Sequence, residues 1–195
     1  MSVLSDIEII DLCDTQKMIN PYISHNVKQV DGQGVLSYGV SAYGYDVRLG
    51  EEFKLFSNAQ GTLIDPKRLD EDCLVTPPLR TDEFGCKYVI LPPNSYLLGV
   101  TLEYFQIPDD IIVVAVGKST LARAGISVNV TPVEPGFKGN VVIEISNLTT
   151  LPIKVYANEG IAQFLFFQGN QPCQTSYADK NGKYQGQTGV TLGKV

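Results

Sequence analysis

In the stretch GFKGNVVIEISN, residues 136–147, a single carboxylate stands among β-branched apolar side chains. Side chains alternate along a strand, so Glu144 shares a face with Val142 and Ser146, and Val141, Ile143 and Ile145 point the other way. An unpaired buried charge costs on the order of several kcal/mol, or is neutralised by a shift of its pKa. Glu144 therefore either reaches solvent on an exposed face or moves protons in a chemical step, and the strand alone leaves both open. A second group follows the apolar run IIVVAV (111–116), in GKSTLARAG (117–125). The Walker pattern G-x-x-x-x-G-K-[ST] needs glycine where Ile112 stands, so this is not a P-loop. A strand, a glycine and a helix-compatible KSTLAR still gather backbone N–H groups, two hydroxyls and the cations Lys118 and Arg123, a suitable anion site. The bland alternative is a capped helix with solvated cations.

Metal chemistry finds little support in the donor set. The four cysteines, Cys13, Cys73, Cys86 and Cys173, are scattered, none forms C-x-x-C, and His25 is the only histidine. A zinc site takes Cys and His ligands at close spacing, and that pattern is absent.

The elements that must carry these groups are mostly strands. Ser5 and Glu8 make an S-x-x-E capping box ahead of Ile9, Ile10 and Leu12, predicting a helix that ends by Asn20-Pro21. Short apolar runs punctuated by Gly, Pro, Asn and Asp follow, at 45–49, 96–100, 111–116, 126–130, 141–145, 153–156 and 161–167. Their spacing predicts a mostly β sandwich or barrel rather than alternating βαβ units. Residues 57–88 are polar and Pro-rich and read as an excursion with one irregular or short helical element. The Gly-rich tail 179–195 holds almost no core-forming residues, so it is either disordered or ordered by something else. With no internal repeat and no second core, the 195 residues form one domain, with 1–40 as an N-terminal helical extension. A net charge of −6 argues against nucleic acid as a partner. No apolar run approaches a membrane span, and the acidic N-terminus lacks a signal pattern, which predicts a cytoplasmic protein.

Five segments occur in order: SAYGYDVRLG (41–50), GKSTLARAG (117–125), VEPGFKGNVVIE (133–144), EGIAQFLFF (159–167) and GKYQGQTGVTL (182–192). Together they resemble the five motifs of the dUTPase superfamily, specifically its dCTP deaminase branch. Within the superfamily, the strand ending V-x-E after the third motif, Val142-Ile143-Glu144, resembles the deaminases rather than the pure dUTPases. The resemblance implies a distorted β-barrel or jelly roll with an N-terminal helix and a short helix after the second motif. It implies deamination of dCTP to dUTP and ammonia, supplying dUTP for dTTP synthesis, with Glu144 as proton shuttle.

The same resemblance assigns the remaining roles. Ser119 would help hold the attacking water, and Arg123 would lie close to Glu144 and the base. Lys118, Ser119 and Thr120, within the segment that continues through Leu121, Ala122 and Arg123, would serve the phosphates. Backbone groups near Val130 and Thr131 would read the exocyclic amine, and Val142 and Ile143 would be among the nucleotide-binding residues. Phe137 would be the platform beneath the deoxyribose, and its face would reject a 2′-hydroxyl. Gln163, Tyr177, Lys183 and Gln187 would complete a triphosphate cradle with Mg²⁺ bridging phosphate oxygens and no zinc. The implied assembly is a homotrimer with shared sites, the tail closing as a flexible lid over a neighbour's site, and dTTP is a candidate inhibitor. Glu134 stands where the family usually has aspartate, and Thr131-Pro132-Val133 lacks an arginine found in the best-known bacterial members. Those departures leave room for a bifunctional deaminase–diphosphatase giving dUMP, or a plain dUTPase. The alternative outside enzymes is a nucleotide-sensing trimer.

Overall fold

The capping box forms as expected. Glu8 accepts the Ser5 backbone N–H at 2.8 Å, and helix α1 runs Asp6–Gln16 with Ile9 and Cys13 buried, one turn apart on its inner face. It stops at Lys17, whose left-handed backbone (φ 57°) sends its N–H back to the Cys13 carbonyl. In the computed structural model, which describes residues 1–59, 61 and 63–194, the helix follows a short strand β1 (Ser2–Val3). After it come β2 (Ile19–Asn20), β3 (Val27–Val30), β4 (Gln33–Ser41) and β5 (Gly44–Phe56). A 3₁₀ turn at Glu71–Cys73 precedes β6 (Leu74–Val75), β7 (Arg80–Thr81), β8 (Lys87–Leu91), β9 (Tyr96–Gln106) and β10 (Ile111–Gly117). Helix α2 (Ser119–Arg123), β11 (Ile126–Asn129), β12 (Lys138–Asn147), β13 (Ile153–Tyr156) and β14 (Gly160–Gln168) complete the order.

Every strand pairing is antiparallel. One sheet runs β1-β14-β5-β9-β12-β11, with β10 against β14, β2 against β9, and β4 and β6 against β5; β13-β8-β7 form a smaller sheet. Strand β5 spans thirteen residues, and the irregularity between Leu49 and Phe53 lets it serve both β14 and β9, curling the sheet around the core. Tyr45, Phe53, Phe105, Phe164 and Phe166 are fully buried there, with the Phe105 and Phe164 rings 5.2 Å apart.

The residues differ from expectation in three places. Of the segment 1–40 read as a helical extension, only 6–16 is α-helix; residues 27–41 form the β3–β4 hairpin. Its turn is Asp31-Gly32, both at positive φ (50° and 80°), the conformation a two-residue hairpin needs. The short helix expected after the second motif lies inside it, beginning at Ser119. The tail packs on its own chain: the Gly186 N–H donates to the Lys138 carbonyl (2.7 Å), and Gln187 pairs with Asn140 through backbone and side chain (3.0 and 2.6 Å).

Candidate active site

Strand β12 alternates as its sequence requires. Val141, Ile143 and Ile145 are buried in the core, whereas Asn140, Val142, Glu144 and Ser146 lie half-buried on the other face. That face forms one side of a cavity of about 510 Å³. Glu144 sits between Leu98 of β9 and Asn129 of β11 in register. Its Oε2 is buried and has no hydrogen-bond partner among the described residues. Burial pushes the carboxyl from an ordinary 4.5 up to about 7, opposed only by a backbone hydrogen bond. The Glu144 carboxyl is therefore poorly solvated, with one oxygen left unpaired. Near neutral pH it holds and releases a proton with little bias, which suits a general acid–base.

Of the residues expected at the site, Thr131, Glu134, Phe137, Val142, Glu144, Tyr177 and Gln187 line this cavity together. Phe137 is buried edge-on against Tyr177, ring centroids 5.7 Å apart. Glu134 opens onto the cavity, and its Oε2 accepts from Lys180 of the tail at 2.9 Å. Tyr177 holds the tail, its hydroxyl accepting the Tyr184 N–H at 3.0 Å. Four lining residues went unnoticed in the sequence: Phe56, Leu69, Tyr96 and Leu98. Leu98 and Tyr96 alternate with the core face of β9, a visible signal, but which strand they face needs the pairing.

The second group assembles elsewhere. Lys118 caps the start of α2, and its Nζ donates to Asp46 Oδ2 (2.5 Å) and Ser37 Oγ (3.0 Å). Asp46 also accepts from Asn26 and Ser37. Gln163, opposite Asp46 in the β14–β5 register, donates to Ser41 Oγ at 2.9 Å. The first, second and fourth motifs thus meet around Lys118, away from the Glu144 cavity. Ser119, Thr120, Ala122 and Arg123 are exposed, Leu121 is buried, and none of them lines the cavity within one chain. Within one chain the Ile143 side chain belongs to the core, and Lys183 is exposed and bonds the Lys194 carbonyl (3.2 Å); neither lines the cavity. Among the described residues no cluster of His, Cys, Asp and Glu could hold a metal ion, and no helix is long and apolar enough to cross a membrane.

A buried acid poised over a cavity, on the strand that ends V-x-E, is the feature a family comparison should decide. Residues 3–169 match the family model described as dCTP deaminase-like. The chain belongs to the dCTP deaminase-like family. Across its whole length it is 53% identical to the dCTP deaminase of Campylobacter concisus (strain 13826), covering 99% of that protein. It is likewise 49% identical to the dCTP deaminase of Orientia tsutsugamushi (strain Boryong), both chains covered completely. The 2′-deoxycytidine 5′-triphosphate deaminase structure from Agrobacterium tumefaciens superposes with TM-score 0.56 at 20% identity, over 86% of this chain and 48% of that one. The chain spans about half the length of that structure, and the likeness establishes the shared fold. In this deaminase-like family the mostly β architecture expected from the strand spacing is the one found.

Proposed function

We propose that the protein hydrolyses dCTP to dUTP and ammonia, with Glu144 as the group that moves the protons. The observation that carries this reading is the Glu144 carboxyl in the wall of the cavity, half-buried with Oε2 left without a partner, and its pKa raised to about 7 by burial. As carboxylate it takes a proton from a water attacking C4 of cytosine and delivers it to N3. Glu144 then takes the C4 hydroxyl proton of the tetrahedral adduct and passes it to the amine, the C4–N bond breaks and ammonia leaves, giving the C4 carbonyl of uracil. A positioned acid–base supplies roughly 10²–10⁴-fold, and fixed dipoles around the water supply more. Phe137, held edge-on by Tyr177, offers an apolar face to the sugar that disfavours a 2′-hydroxyl.

The cofactor reading is Mg²⁺ carried on the triphosphate. Such an ion would bind phosphate oxygens of the nucleotide rather than a cage of protein carboxylates. Mg²⁺ would neutralise phosphate charge and leave the protons to Glu144. A homotrimer with shared sites is supported by the separation of the two motif clusters. Ser119 and Arg123 lie exposed and beyond the Glu144 cavity, so a second copy is needed to bring a second-motif segment to it. The β10 side chains Val114 and Val116, exposed just before that segment, supply apolar surface for such contact. Lys118 can then serve phosphate only by leaving Asp46. Four free cysteines accord with the cytoplasm.

A second reading, onward hydrolysis to dUMP, is favoured by Glu134 opening onto the same cavity. Incubation with dCTP and Mg²⁺, reading ammonia, dUTP, dUMP and pyrophosphate together, separates these. Ammonia with dUTP and no pyrophosphate supports the deaminase, dUMP with pyrophosphate the bifunctional enzyme. Tight dCTP binding with no ammonia would instead mean a nucleotide sensor. The same assay with added dTTP tests inhibition.

A further inference from the structure

The role of residues 57–88 is not explained by any of the five motifs. Most of that excursion is exposed: Leu63 is 80% and Ile64 55% accessible. Leu69 differs, being half-buried and turned to the Glu144 cavity. Three further side chains meet it there. Leu98 is the β9 residue directly across from Glu144, and Tyr96 is two residues along on the same face, paired with Ser146. Side chains directly opposite sit about 5 Å apart and diagonal ones about 7–8 Å, so both reach the carboxyl's surroundings. The Tyr96 ring is fixed edge-to-face on Phe56, the last residue of β5, with centroids 5.3 Å apart at 73°. No hydrogen bond joins the Tyr96 hydroxyl to Glu144, and Glu144 Oε2 is buried without a partner among the described residues.

We infer that Phe56, Leu69, Tyr96 and Leu98 form a dry wall against Glu144, and that the 57–88 excursion serves the reaction by delivering Leu69 to that wall. The inference rests on the deaminase reading for its catalytic meaning and on geometry alone for the wall. Each of these side chains replaces water that would otherwise solvate the carboxylate, so together they favour its protonated form. The titratable groups facing the cavity with Glu144 are few. They are Tyr96 from β9, Glu134 from the segment between β11 and β12, Tyr177 from the segment after β14, and Tyr184 from the tail. Asn129, opposite on β11, is uncharged, and no Lys or Arg of the same chain lines the cavity among the described residues; in the proposed trimer the second copy's Arg123 is the cation brought to it, and it acts alike on the parent and on Leu69 variants. Nearby Glu144 raises the Tyr96 phenol after burial has done so, consistent with the two sharing one poorly solvated space. Leu69 is thus a positioning residue, acting on substrate only through Glu144.

Leu69→Asn tests this, because it sits on a loop where a polar residue does not threaten the core, and an amide there draws water into the cavity that Glu144 lines. The Glu144 side-chain carboxyl is followed by ¹³C NMR in selectively labelled protein, its signal assigned with Glu144→Gln. The midpoint in Leu69→Asn should fall by at least about half a pH unit, roughly a threefold change in ionisation. Leu69→Met should keep the midpoint of the parent. The acid limb of kcat/KM for dCTP should move with the NMR midpoint, since substrate titrations are common to both proteins. A Glu144 midpoint unchanged in Leu69→Asn would overturn the inference, and so would a shift equally large in Leu69→Met. If the parent protein binds dCTP but releases no ammonia, the deaminase reading fails, and the NMR midpoints still decide the wall.

Discussion

Replacing Glu144 by Gln should make the protein more stable as pH rises, in the same variant that loses deamination. The carboxyl goes from an ordinary 4.5 to about 7 in the folded chain, mainly because burial disfavours its charged form. A folded pKa raised above the unfolded one means the native state is relatively favoured below about 4.5. That advantage is lost as pH climbs to about 7, where the folded protein must ionise a poorly solvated acid. Converting the gap gives a penalty of about 3 kcal/mol at pH 8 and about 1 kcal/mol at pH 5. Partial exposure of the side chain makes the resulting difference of about 2 kcal/mol a ceiling. Gln is nearly isosteric and does not titrate, so it carries no such slope, although its buried amide has a constant cost. Melting temperatures at pH 5 and pH 8, at equal protein concentration, are the assay, because an oligomer's melting depends on concentration. Relative to the parent, the variant should gain on the order of 4–8 °C between the two pH values. Parallel pH profiles for parent and variant would refute the claim that Glu144 is held poorly solvated with one oxygen unpaired. The activity loss would then need another cause.

Three further outcomes follow from the same structure. Glu103 is fully buried and takes both the Arg48 side-chain Nε–H (2.7 Å) and the Arg48 backbone N–H (3.0 Å). Glu103→Leu should therefore cost about 3–5 kcal/mol in chemical denaturation by stranding the guanidinium, and adding Arg48→Met should recover much of it. Deleting residues from Gly182 onward removes Tyr184, Gln187 and Thr191 from the cavity. It should raise the KM for dCTP at least about tenfold and move the melting temperature by only a few degrees, because such a tail contributes little core; a large fall in melting temperature would make the tail structural. Protein stripped with EDTA should regain full deamination with Mg²⁺ alone; a strict zinc requirement, read by metal add-back, would contradict the carboxylate-centred chemistry.

Much of the architecture was legible because its signals are local. The Ser5–Glu8 box placed α1, apolar runs placed the long strands, and period-two alternation put Glu144 on the face opposite Ile143 and Ile145. The β3–β4 hairpin is equally local: Asp31-Gly32, between VKQV and QGVLSYGVS, is a strong two-residue turn signal. Strand ends were shorter in expectation than in fact. The 45–49 run is only the N-terminal part of β5, which is extended by pairing with β9 that no local pattern reveals.

The sequence by itself determined that an acid would stand in an apolar strand, on which face, and in company with five ordered motifs. It could not say whether that acid is solvated, since solvation depends on Leu98 across the sheet, Phe56 behind Tyr96, and Leu69 arriving from a distant excursion. Nor could it divide the motifs into the Glu144 cavity and the Lys118–Asp46 cluster, because strand pairing and register bring together residues as far apart in the chain as Asp46 and Gln163. Desolvation is a sum over neighbours in space, and only the tertiary structure chooses those neighbours.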